Sequence, residues 1–318
     1  MKEYGGYIEL DDFTGDMLYE DGIALNCGRN ALEYLCEAKQ IQKLYIPYFL
    51  CSSVKDVCEK KNIQYEHYHV TERLEPEFNR TIKDNEWIYI VNYYGQLSNT
   101  KIIEWKEKYH RVIVDNAQSY FQPPVEQVDT LYTCRKFFGV ADGAILYTDT
   151  FLTRDLPQDE SFERMHFLMG RYERTASEFY QEYVDNNDLF LNEPLKKMSK
   201  LTRNILHGID YGFIKKIRTK NFIYLHKRFQ DINKLQLNVP EGAFMYPLYI
   251  EEGASIRKQL LEKKIYIPTL WPEVIKVCGD KELECDMAMN ILPLPVDQRY
   301  AETEMEYIYM EVMKCITN

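Results

Sequence analysis

Apolar and polar positions follow two rhythms along this chain. Through the first half, short apolar runs recur between polar stretches: "KLYIP" (43–47), "QYEHYHV" (64–70), "WIYIVNYY" (87–94) and "RVIVD" (111–115). Runs of this length predict strands. After the first and third of them the spacing lengthens to a helical period, near 52–61 and 100–109. Strands alternating with helices predict a mostly parallel sheet covered by helices, an α/β fold. Two more strand-like runs, 130–132 and 144–148, flank "CRKFFGVADG".

From 160 to 235 the pattern is helical with few strand signals. Its clearest helix is "FIKKIRTKNFIYLHKRFQDI", apolar at 213, 214, 217, 222, 225 and 229. The basic run inside it, "KKIRTKN", reads as a solvated helix face. The last stretch returns to a mixed α/β pattern through "AFMYPLYI", "KKIYIPTLW" and a helix near 301–314. The division this predicts is a large domain over 1–235, helical from about 160, and a small C-terminal domain over 236–318. No internal repeat or low-complexity linker interrupts it.

Composition narrows the function classes. A net charge of −11 lacks the excess of clustered Lys and Arg that nucleic-acid binding needs. The N-terminus is neither a signal peptide nor an anchor, and no apolar run approaches the ~18 residues of a membrane span. The eight cysteines form no C-x-x-C pair, and Cys51/Cys58 and Cys278/Cys285 match no zinc spacing. Reduced thiols in a cytoplasmic protein are the expectation. His67 and His69 share a strand face, where packing or exposure is the expected role, and no metal site is expected. The 26 tyrosines supply apolar bodies with polar tips, a composition suited to ligand surfaces.

The candidate chemistry lies at the strand ends. In α/β sheets, ligands sit beyond the carboxyl ends of the parallel strands. Asp115 ends "RVIVD", where it either faces such a ligand or caps the next helix. Gln118 follows three residues on. Lys136 comes after a further strand, with Thr133 three residues before it. Upstream, "NCGRNALEYL" places Gly28 at the head of a helix, whose free N–H groups suit a phosphate. A helix start and a hydroxyl for a phosphate, a carboxylate for a ring nitrogen, and a lysine for an aldehyde together describe pyridoxal 5′-phosphate (PLP). That cofactor needs a carboxylate to keep its ring nitrogen protonated and an amine to form a Schiff base and move protons.

The ordered motifs resemble the DegT/DnrJ/EryC1/StrS aminotransferases, which are fold-type I PLP enzymes acting mostly on nucleotide-linked keto sugars. "NCGRNAL" resembles the family's phosphate turn S-G-T-x-A-L. "IPYFLCSSV" and "NYYGQ" resemble P-x-Y-T-x-x-A/S and H-x-x-G-Q, and "VIVDNAQSYF" is similar to V-x-E-D-x-A-Q-x-x-G. "TCRKFFGVADGAILYTD" stands in the place of the lysine segment, "KKIRTKNFIYL" of the R-R-x-N helix, and "ILPLPVDQRYAETEMEYI" of the C-terminal motif. "GVADGA" departs from G-E-G-G, and the G-Y-N-x-R loop through which a neighbouring subunit reaches the phosphate is missing.

The resemblance implies a fold-type I transferase that moves an amino group, from glutamate, to a nucleotide-linked keto sugar in cell-surface polysaccharide or amino-sugar biosynthesis. It implies Lys136 as the Schiff-base lysine, Asp115 on the pyridine nitrogen, Gln118 near the ring's 3-oxygen and Ala117 on one ring face. It implies phosphate contacts from Gly28, Arg29, Asn30 and the Thr133 hydroxyl. The other ring face falls to Phe49 or Tyr48. It also implies a homodimer with a shared site, in which the residues replacing the missing loop are sought at Asn192, Ser199 and Asn221. Two alternatives remain: a sugar dehydratase-like PLP reaction, and a cofactor-binding regulator without turnover.

Overall fold

The computed structural model describes residues 4–279 and 282–317. An eight-stranded sheet forms its centre. In chain order its strands are β1 (Ile23–Leu25), β2 (Lys43–Pro47), β3 (Gln64–Val70), β4 (Pro76–Glu77), β5 (Glu86–Val91), β6 (Val112–Asp115), β7 (Asp129–Thr133) and β8 (Ala144–Tyr147). Across the sheet they run β1-β8-β7-β6-β5-β2-β3-β4. The five strands β3, β2, β5, β6 and β7 are parallel neighbours. β4, β8 and β1 pair antiparallel with theirs. The near-continuous apolar runs of β5 and β6 suit burial on both faces of a covered sheet. Ile88, Ile90, Ile113 and Val114 are accordingly closed off from solvent.

Helices α1 (Gly28–Ala38), α2 (Ser52–Lys60) and α3 (Asn99–Tyr109) follow strands, as the spacing predicts. Ser98 caps α3 by accepting from the Lys101 N–H at 3.3 Å. The strand order reverses between β2 and β5. Chain after β5 progresses in one direction across the sheet, while β3 lies on the other side. A crevice for a ligand opens beside such a reversal, at the carboxyl ends of the strands.

The helical stretch comprises α4 (His166–Glu173), α5 (Tyr180–Leu189), α6 (Lys200–His207) and α7 (Tyr211–Phe229). Asp210 caps α7 through the Phe213 N–H at 2.8 Å. The reading of "KKIRTKN" as a solvated face needs correction. Arg218 and Asn221 lie on the buried face of α7, Arg218 only 2% exposed, while the apolar Phe213 is exposed. Backbone carbonyls explain this, because the two side chains satisfy carbonyls that secondary structure leaves open. Arg218 donates to the carbonyls of Ala243 (3.0 Å), Phe244 (3.3 Å) and Phe137 (3.3 Å), and to Gln298 Oε1 (2.8 Å). Asn221 donates to those of Val296, Asp297 and Tyr300.

The chain closes with β9 (Met245–Tyr249), α8 (Gly253–Glu262), α9 (Val274–Val277), α10 (Leu283–Asn290), β10 (Ile291–Pro295) and α11 (Glu302–Thr317). β9 and β10 pair only with each other. "KKIYIPTLW" joins no strand. Lys264 and Trp271 both take left-handed backbone conformations (φ 58°), which break an extended run at each end. Buried apolar residues form one large cluster around the sheet, a second from Phe222, Leu225 and Phe229 of α7 with β9, β10, α8 and α11, and a small third of Ala141, Met165 and Phe167. Among the described residues, no helix is long and apolar enough to cross a membrane.

Candidate active site at the carboxyl edge of the sheet

Three neighbouring strand ends supply the core of the site. Parallel pairing sets Asp115, the last residue of β6, beside Val91 of β5 and Leu131 of β7. Two residues past Leu131, β7 ends at Thr133, and a single 3-10 turn, Cys134–Lys136, follows. The pairing of β1 makes it run the same way as β7, so α1 also begins at this edge. The sheet thus brings residues from near 28, 115 and 136 to one rim.

Asp115 does not cap a helix. Its Oδ1 accepts the Ala117 N–H at 2.8 Å and its Oδ2 accepts the Tyr89 hydroxyl at 2.8 Å. Burial pushes its carboxyl above the ordinary carboxylate value, and the charge of Lys136 and these two hydrogen bonds oppose that push. A buried carboxylate held in this way is completed by a further donor or cation. Lys136 itself is exposed, with Nζ 5.5 Å from the centre of the Phe244 ring.

Gln118 is 2% exposed, and its carboxamide is only half used. Oε1 accepts the Tyr94 N–H at 2.8 Å, whereas Nε2 is buried without a partner. An orphaned buried donor is uncommon and points to a ligand acceptor. Tyr94 holds its part of this contact in a left-handed conformation (φ 52°), a strained state for a tyrosine of the kind that clusters at binding sites.

Gly28 begins α1, and the preceding Cys27 provides no side-chain cap. A Cβ at Gly28 would meet Thr133 Oγ1 at 3.0 Å, so glycine keeps the space between helix start and hydroxyl open. Uncapped N–H groups, an open cradle and a hydroxyl fit a phosphate, and the Gln118 amide fits an oxygen on the ring. On these observations the residues present fit PLP.

The remaining site candidates fall out unevenly. Ala117 is buried next to Asp115. Arg29 is partly buried, with Nε closed off and unpartnered. The Asn30 side chain is committed to Asn26 Oδ1 at 2.7 Å and the Pro194 carbonyl at 2.8 Å, which leaves only its backbone N–H for a phosphate. Phe49 is placed in the core, 1% exposed, against Tyr93 and edge-on to Trp271 at 4.6 Å. Tyr48 is half-buried and engaged by His67, stacked at 4.6 Å, and His69. Ser199 and Asn221 are spent inside their own chain, Ser199 on Asp142 and Ser161, and Asn192 is exposed. Tyr89, Arg135 and Phe244 stand beside these candidates, and sequence reasoning did not single them out. Only Arg135 gave a signal, as a second cation beside Lys136.

No family model matches the sequence, and no curated protein matches it. Solved structures do match in three dimensions. NtdA from Bacillus subtilis, crystallised with bound cofactor PMP, gives a TM-score of 0.67 at 14% identity, covering 93% of this chain and 73% of its own. The sugar aminotransferase CalS13 from Micromonospora echinospora gives 0.61 at 10% identity, over 92% and 86% of the two chains. A DegT DnrJ EryC1 StrS aminotransferase from Brucella abortus gives 0.59 at 13% identity, over 92% and 85%. By architecture, then, this chain has the fold-type I form of those three structures.

Proposed function

We propose that this chain is a PLP-dependent aminotransferase that passes an amino group from glutamate to a nucleotide-linked keto sugar. The observation that carries the reading is the convergence of Asp115, Lys136 and the orphaned Gln118 amide on one rim, beside an open phosphate cradle. When bound, PLP supplies an electron sink that eases loss of a proton next to the transferred nitrogen. Asp115 holds the proton on the ring nitrogen. Lys136 Nζ would hold the cofactor's aldehyde carbon and, once released from it, would move a proton between the substrate carbon that bears the nitrogen and that cofactor carbon. Gln118 Nε2 donates to the ring oxygen, and Ala117 backs the ring. The Gly28 to Asn30 backbone and Thr133 bind the phosphate.

The keto sugar and glutamate come from the sequence resemblance and from what the matching structures are named for. The division near residue 235 rests on the sequence pattern, since the second cluster already begins at Phe222 of α7 and the first takes in Phe244, Trp271 and Ile291. Exposed Phe162, Met169, Tyr172 and Tyr180 support a two-fold homodimer, since aromatics are enriched where copies bury surface. Eight cysteines without C-x-x-C pairing support a cytoplasmic protein.

A half-reaction test decides the function. Protein loaded with PLP is mixed with single amino donors and, separately, with keto sugars after conversion to the amine form. The visible spectrum should shift with glutamate and return with a nucleotide-linked keto sugar. A spectrum unmoved by every donor, on protein that holds PLP, would refute transamination.

A further inference from the structure

We propose that Arg135, paired with Arg29, is the cationic half of a phosphate cradle built within one chain. The proposal deepens the cofactor reading above and rests on it for the identity of the ligand.

Arg135 and Lys136 are consecutive in the 3-10 turn but diverge. Lys136 lies over Phe244, whereas the Arg135 guanidinium lies over Phe190 at 4.6 Å and donates through Nη1 to Asn187 Oδ1 at 2.5 Å. Its Nε is closed off from solvent with no hydrogen-bond partner, and so is Nε of Arg29. The Cys27 thiol feels the charge of both guanidiniums, and Arg135 feels Arg29 as a like charge. Cys27 is the residue before Gly28, so the pair converges where α1 begins uncapped and where Thr133 Oγ1 faces Gly28.

Two arginines placed together repel unless an anion joins them. Arg164 shares the Phe190 ring with Arg135 and differs from it in having a carboxylate partner, while its own Nη1 is buried without one. Arg164, 5.2 Å from the centre of the Phe190 ring, has Asp159 at 2.7 Å. Arg29 and Arg135 have no such carboxylate among the described residues. The acid whose charge Arg135 feels, Asp142, is already committed to the Ser199 N–H and hydroxyl, both at 2.7 Å, and to the Thr202 hydroxyl. The missing partner is therefore an outside anion with several acceptor oxygens. A phosphate dianion meets that need, because the guanidinium fork matches its geometry and the helix start adds N–H donors. The buried, unpartnered Gln118 Nε2 at the same rim is an independent sign that a ligand belongs there.

A consequence is that the phosphate contact implied from a neighbouring subunit's loop is replaced in cis. The absent G-Y-N-x-R motif then reflects relocation of the contact to Arg135.

Three probes test this on protein freed of cofactor: PLP, pyridoxal, which has the same ring and aldehyde without the phosphate, and inorganic phosphate. Affinities are read from visible absorbance and phosphate binding from thermal melts. Arg135→Gln should weaken PLP about 100-fold, the loss of two charge-assisted hydrogen bonds. It should leave pyridoxal within about threefold, below one decade of affinity. Inorganic phosphate should raise the melting temperature of the wild type and not of the variant. Arg29→Gln, at a partly exposed site that folding tolerates, should show the same pattern more weakly, and Arg135→Lys should recover part of the loss. Equal losses for PLP and pyridoxal, or phosphate protection that survives Arg135→Gln, overturn the assignment. A wild type that responds to phosphate but binds neither PLP nor pyridoxal overturns the aminotransferase reading instead, and the phosphate melts still decide the role of Arg135.

Discussion

The carboxyl rim of the sheet and the helical stretch of α4 and α5 use the same aromatic residues to opposite ends. At the rim, Tyr89, Tyr93 and Tyr94 are buried, and the first two spend their hydroxyls on Asp115 and on the Phe49 carbonyl. In the helical stretch, Tyr172 is 92% exposed and Tyr180 63%, with Phe162 and Met169 beside them in sequence. Buried tyrosines with satisfied hydroxyls make a rigid wall that fixes an Asp carboxylate in place. Exposed ones make a surface that gains only when something covers it. In the function proposed above, the first region would carry the chemistry and the second would offer an association surface.

Breaking the rim should cost activity without costing the fold. The largest effect belongs to Lys136→Ala, which should lower turnover at least about 10³-fold. Because Lys136 is exposed, stability should change by no more than about 0.5 kcal/mol. Stopped-flow turnover and a denaturant melt check the two halves. Retained turnover would move the covalent role to another lysine.

Asp115→Asn comes next, with turnover down about 10²-fold while PLP still binds. Its stability signature has a definite sign. Burial holds the Asp115 carboxyl above its ordinary value, so the folded chain binds that proton more tightly than the unfolded chain. Without cofactor, the Asp115 contribution to stability should therefore be fully present below about pH 4 and fall as pH rises from there through the raised value. Melts across that window should show a smaller fall for Asp115→Asn than for the wild type.

Gly28→Ala sharpens the comparison at smaller scale. The added Cβ would press on Thr133 Oγ1 at 3.0 Å, so PLP affinity should drop about tenfold, or about 1.4 kcal/mol. Inorganic phosphate protection, measured by thermal melts, should drop with it.

The smallest effect on the isolated chain should come from the other region. Tyr172→Asp combined with Tyr180→Asp should leave the fold and PLP binding in place. By light scattering at micromolar concentration the mass should fall from twice 38.0 kDa to 38.0 kDa. An unchanged mass would reassign that face.

How far the sequence spoke depended on whether a residue's neighbours were close along the chain. β2, β5 and β6 were legible because burial on both faces writes a continuous apolar run, and Asp115 stood out by ending one. The positions of Gly28 at a helix start and of Lys136 just past a strand end were legible through local spacing. β1 and β4 were not, since three and two residues carry too little pattern. The packing of Phe49 was not legible because its surroundings, Tyr93 and Trp271, come from distant segments that no local rhythm reports. Arg218 looked like surface for the same reason: the carbonyls it serves lie 25, 26 and 81 residues away. Tyr89 sat unseen within a strand, because its only distinction is a hydrogen bond across to the next one.

The carbonyl of Phe137 links two histories in this chain. It belongs to the residue after Lys136, yet it is gripped by Arg218 of α7 and by Gln298 Nε2 at 2.9 Å, which lies between β10 and α11. Burial lowers the Arg218 pKa to about 10, still far enough above neutrality for the grip to stay charged. A recombination that exchanged the last quarter of this protein for that of a distant relative would replace Gln298 and strip one anchor from the backbone beside Lys136. The two ends of the chain are thus heritable only as a matched set, and grafts made near residue 235 should succeed only when the donor brings an amide at position 298.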